Sequence, residues 1–186
     1  MILADLQSRL RIALTNTLVE EWTLFTPTTG TSRPSERTIA FHLGWYLRQT
    51  VERSWDVDAE YDRSGMMLES SVQITGPEQH VPNLIVHHRG LLGPEHNLLL
   101  VHVAADEATR EERTDVAAAL TLQRRFGYRY AMLLDLRLQV EGRRAAVTPF
   151  WQWATLEHGP ETSEPVPVYT ARVLSEITER ARSAGD

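Results

Sequence analysis

The hydrophobic period of this chain switches between helical and extended in the order helix, helix, strand, strand, strand, helix, strand, strand, helix, and few folds accommodate that order. Ile2, Leu6, Leu10, Ala13, Leu14 and Leu18 recur at helical spacing, so a first helix is predicted to end near Trp22. Phe25 to Arg33 reads as a loop, and Pro34-Ser35-Glu36 as the start of a second helix reaching about Arg53. Strict alternation follows, with Trp55, Val57, Ala59 and Tyr61 on one side and Asp56, Asp58, Glu60 and Asp62 on the other. That acidic comb suits an exposed or edge-strand face that discourages further pairing.

A turn region around Gly76-Pro77 precedes two β-rich runs, Val81 to His88 and Leu98 to Val103, which read as a hairpin. Thr109 to Phe126 has the spacing of a third helix, closed by Gly127. Tyr128 to Leu138 and Ala145 to Trp153 are predicted strands joined at Glu141-Gly142. Glu157 to Pro167 reads as a polar linker, and Tyr169 to Ala184 as a closing helix. The expected architecture is α/β, a mixed central β-sheet flanked by α-helices.

With 186 residues, 42% hydrophobic and 24% charged, the chain suits one domain spanning 1–186. All 19 basic residues are arginine, so there is no lysine, and there is no cysteine. Lysine Schiff bases, Walker-type phosphate loops, thiol nucleophiles and Cys-ligated metals are thereby excluded. A net charge of -6 argues against indiscriminate adhesion to nucleic acid. No stretch approaches about 18 uncharged apolar residues, so a cytoplasmic protein with no membrane association is expected.

Three stretches carry the functional signal: Val57 to Arg63, Val81 to Gly90, and Asn97 to Ala104. Read together they resemble the restriction-endonuclease-like family, the PD-(D/E)XK nucleases, of the kind found in bacteria. There, a Val-Asp-x-Glu-Tyr-x-Arg strand precedes Pro-Asp-hydrophobic-x-x-His-Arg-Arg and then Asn-Leu-Leu-x-hydrophobic-Glu-hydrophobic-Lys. The resemblance implies a nuclease-like core at 35–136, an N-terminal helix and loop at 1–34, and an extra strand and C-terminal helix at 137–186. It departs at the chemical positions. Asn83 stands where the family has a metal-binding aspartate, and His102 and Ala104 stand where it has an acid and a lysine.

That chemistry needs anionic oxygens on Mg²⁺, a metal-bound water and a nearby cation. Asn83 offers a neutral oxygen, His102 suits softer metals, and Ala104 offers nothing. Loss of one preorganised group commonly costs about 10²–10³ in rate, so three losses argue against ordinary Mg²⁺-dependent cleavage. The resemblance also marks Glu36 and Glu60 as a remnant site; each is also readable as structural, Glu36 favouring a helix N-terminus and Glu60 standing as a solvated charge.

Three functions remain open. The first is a catalytically degenerate, non-enzymatic binding or assembly module that binds another protein or itself, with nucleic-acid contact conceivable and no cofactor. The second is a divergent nuclease holding Mg²⁺, Mn²⁺ or Zn²⁺ on Glu36, Glu60, Asn83 and His102, which the resemblance implies could converge if Asn83 and His102 meet across the hairpin. The third is a structural homo-oligomeric subunit. For nucleic-acid contact the candidates are Arg124, Arg125, Arg129, Arg143 and Arg144. Trp151 and Trp153 share a strand face beyond them, as core tryptophans or as part of a contact surface.

Overall fold

A computed structural model describes residues 1–26, 34–61, 81–105, 116–141, 144–161 and 166–184, with backbone alone at 116–118. Outside these lie the expected turn at Gly76-Pro77, Asp62, His80, residues 109–115 of the expected third helix, and Gly142 and Arg143.

The helices are α1 (Leu3–Glu20), α2 (Trp22–Phe25), α3 (Glu36–Thr50), α4 (Val116–Phe126) and α5 (Ala171–Ser183). The strands are β1 (Asp56–Ala59), β2 (Leu84–His87), β3 (Asn97–Ala104), β4 (Tyr130–Glu141), β5 (Arg144–Thr155), β6 (Gly159–Pro160) and β7 (Tyr169–Thr170). They form one sheet in the order β1-β2-β3-β4-β5-β6, with β7 also paired to β5. Among the described residues the β3–β4 pair is parallel and the other pairs are antiparallel, so the sheet is mixed. A parallel neighbour needs a crossover connection, and α4 lies in the segment that joins β3 to β4.

Alternation sorts the strand side chains onto two faces. On one, Leu84, Val86, Leu99, Val101, Val103, Met132, Leu134, Trp151 and Trp153 pack with Leu6, Leu10, Leu14 and Leu18 of α1 and Ile39, Leu43 and Leu47 of α3. Leu174 anchors α5 to the same core. Gly44 lets α3 come this close: a Cβ there would stand 2.7 Å from Leu84 Cδ1. On the other face Ile85, Leu100, Ala131 and Ala154 pack under Leu122 of α4 and Tyr128.

Caps follow sequence chemistry. Ser35 accepts from the Thr38 amide at the head of α3, and Thr170 from the Val173 amide at the head of α5. Gly127 ends α4 at φ +67°, in the left-handed region where glycine is unstrained.

Several boundaries differ from expectation. Tyr169 and Thr170 do not begin the last helix; they pair with Val147 and Ala146 of β5 before Thr170 caps it. The Glu157–Pro167 segment is not wholly linker, because Gly159 and Pro160 ladder against Thr155 and Ala154. The alternating strand is only four residues long, ending where Glu60 turns to φ +49°. No described helix is long and apolar enough to cross a membrane.

Candidate functional site

The two faces differ in kind. Asn83, His87, His102 and Asp135 are buried, polar, and all placed by alternation on the α4 face. Burying polar groups costs stability unless they are bonded, so this face is where specific interactions concentrate.

At the end of the sheet nearest the α3 N-terminus, Leu84 pairs with Val101, and one further step in that register sets Asn83 opposite His102. The hairpin therefore brings these two positions opposite each other. Asn83 Oδ1 accepts a 2.8 Å hydrogen bond from the Val103 amide inside the sheet. Its carboxamide oxygen is thereby engaged in holding the ends of β2 and β3 together. The Asn83 carbonyl also accepts from the Glu60 amide at 3.1 Å, tying the end of β1 to the start of β2.

The Glu60 carboxylate is held by Arg37 of α3, which reaches its two oxygens at 2.8 and 2.7 Å. A paired guanidinium and carboxylate neutralise each other, which leaves Glu60 less suited to a dication. Glu36 occupies the first turn of α3, beside Arg37. His102 is buried opposite Leu133 of β4, and Ala104 opposite Asp135. Asp135, 2% exposed and ion-paired to Arg137 at 2.9 Å, is a buried carboxylate that the sequence reading missed. Its signal was a lone acid inside a run of apolar strand residues.

Among the described residues, no group of three or more His, Asp or Glu side chains is placed to hold a metal ion. Glu36, Glu60 and His102 form no such group.

The acidic comb behaves differently from a solvated face. The Asp58 side chain is only 15% exposed, and its Oδ2 lies 2.8 Å from Nε2 of the fully buried His87. Arg89 grips both Asp58 oxygens, and its amide donates to Asp56. These hydrogen bonds from Arg89, then from His87, hold the Asp58 carboxyl below its ordinary pKa against the opposing effect of burial. In the tautomer with its proton on Nε2, His87 donates to Asp58, and the Tyr61 ring meets it edge-on at 4.9 Å. Asp58 is a member of the comb that sequence alone did not separate from its neighbours.

The arginines do not form one strip. Arg124 and Arg125 close α4, and Arg129 precedes β4, whereas Arg144 faces Glu141 at the far end of the β4–β5 pair. Twelve residues of strand, about 40 Å at 3.4 Å each, separate those ends. Arg143 lies outside the described residues. Trp151 and Trp153 do share a face, and each is 1% exposed in the core packed by α1 and α3. No family model, curated protein or solved structure matches this chain.

Proposed function

We propose that the chain is a non-enzymatic binding or assembly module built on a restriction-endonuclease-like core, whose partner is another protein or a second copy of itself. The observation that carries this reading is the Asn83 Oδ1 bond to the Val103 amide: the oxygen that would face a metal is a neutral carboxamide oxygen already bound into the sheet. Two neighbours support it. Arg37 neutralises Glu60, and Ala104 has no functional group where a cation would be needed.

A protein partner is favoured over nucleic acid by the surface. The arginines fall at opposite ends of β4 and β5, while α3 exposes Phe41 and Trp45 one turn apart, 57% and 62% exposed. Large exposed aromatics at i and i+4 supply the apolar anchor that protein interfaces favour.

The decisive experiment incubates the protein with supercoiled DNA, single-stranded DNA and RNA in Mg²⁺ or Mn²⁺, alongside the variants Glu36→Ala and His102→Ala. No cleavage above that of the variants is expected. Metal-dependent cleavage by the wild type that either substitution abolishes would overturn the reading in favour of the divergent nuclease.

A further inference from the structure

We propose that His88 and His96 form a binding site for one borderline divalent ion, Zn²⁺, Cu²⁺ or Ni²⁺, with water completing its coordination. The site stands at the root of the loop joining β2 to β3 and is independent of the functional reading above. The two Nδ1 atoms lie 3.1 Å apart and the ring centroids 5.4 Å apart.

Backbone geometry fixes this juxtaposition. The His88 amide donates to the His96 carbonyl at 2.8 Å, and the His96 and Asn97 amides both donate to the Gly93 carbonyl. The His88 ring is stacked on Trp55 at 4.0 Å with 8° between the planes. The His96 side chain is 32% exposed, which admits an ion with its waters.

A neutral imidazole carries one N–H and one lone pair, so two facing Nδ1 atoms without metal share a single proton. Metal binding moves that proton from Nδ1 to Nε2 of the donor ring, leaving two Nδ1 lone pairs for the ion and releasing no proton. Glu95 Oε1 lies 3.9 Å from His96 Nε2, where a carboxylate favours the tautomer protonated at Nε2.

Metal–imidazole bonds of about 2.0–2.1 Å put two ligand nitrogens about 3.3 Å apart at a tetrahedral angle and about 2.9 Å apart at a right angle. The 3.1 Å separation lies between these, so only a tilt of the rings is needed to aim both lone pairs at the ion. Two imidazoles select borderline metals over oxygen-seeking Mg²⁺.

Calorimetric titration of tag-free protein with ZnCl₂ is expected to show one ion per chain, with affinity falling at least tenfold in His88→Gln and in His96→Gln. CuCl₂ is expected to quench Trp55 through the stacked ring, so that Trp55→Phe loses the most strongly quenched part of the emission. That comparison uses no histidine variant and decides the matter if one fails to fold. The proposal is overturned if wild type takes up neither ion at about 1 mM, if both histidine variants retain affinity within twofold, or if wild type and Trp55→Phe lose the same fraction of emission.

Discussion

Asp58 sits between a fully buried imidazole and an exposed guanidinium: its Oδ2 is 2.8 Å from His87 Nε2, and Arg89 Nε donates to the same oxygen at 2.8 Å. One carboxylate thus ties strand β1 to the end of β2 and to the loop beyond it. Hydrogen bonds to a charged group contribute about 1.5–3 kcal/mol, more than neutral ones.

Asp58→Asn should therefore lower stability at pH 7 by about 1.5–3 kcal/mol, read as a reduced urea midpoint with unchanged slope. The pH dependence has a definite sign. Because the folded-state pKa of Asp58 is lowered, the unfolded chain binds more protons below the ordinary carboxylate value of about 4. Its contribution is present above that value and is lost as pH falls through the folded pKa. Urea midpoints measured from pH 6 down to pH 2 should show a shallower acid limb in Asp58→Asn than in wild type; parallel limbs would contradict this assignment.

Asn83→Ala removes the acceptor for a buried amide, that of Val103. An unsatisfied buried donor costs about 1–3 kcal/mol, so the thermal midpoint should drop by several degrees. Amide exchange at Val103 should also accelerate relative to Leu100 and Val101, which are laddered within the sheet. Unchanged protection at Val103 would show that its amide finds another acceptor.

Gly127→Ala tests a purely conformational claim. A Cβ there would meet nothing closer than 3.6 Å, so any loss comes from φ +67° rather than from a clash. The expected cost is about 1–2 kcal/mol in chemical denaturation, and Gly127→Asn should recover part of it.

Thr170→Ala removes the cap of α5, which buries only Leu174. The expected loss is about 1 kcal/mol, confined to that helix. Hydrogen exchange should quicken across residues 171–183 while β3 and β4 stay protected; uniform quickening would mean that α5 is integral to the whole core.

These relationships show where the sequence was readable. The apolar run from Leu98 to Val103 and its neighbour from Leu84 could be paired because both are buried on the two faces, which leaves little choice of role. Trp151 and Trp153 shared a face by alternation, and Gly127 closed a helix, because local geometry alone decides such features. Asp58 could not be told from Asp56, since alternation fixes a side but not the partner across it, and Arg89 is distant in sequence. Both residues of β7 were read as helix because they lead directly into it, Thr170 being also its cap, and their partners Val147 and Ala146 are likewise remote. The sequence left it conditional whether Asn83 and His102 meet across the hairpin, and the bond from the Val103 amide to Asn83 is tertiary detail that no spacing encodes.

The margins of the sheet have a consequence for how copies of this chain can meet. Among the described residues, one margin is β1, four residues long; the other, along β5, is engaged near both ends by the two-residue strands β6 and β7. An arriving strand would gain few main-chain bonds at the first and find the second partly taken, so strand addition, the usual first step toward fibrils, has little to build on.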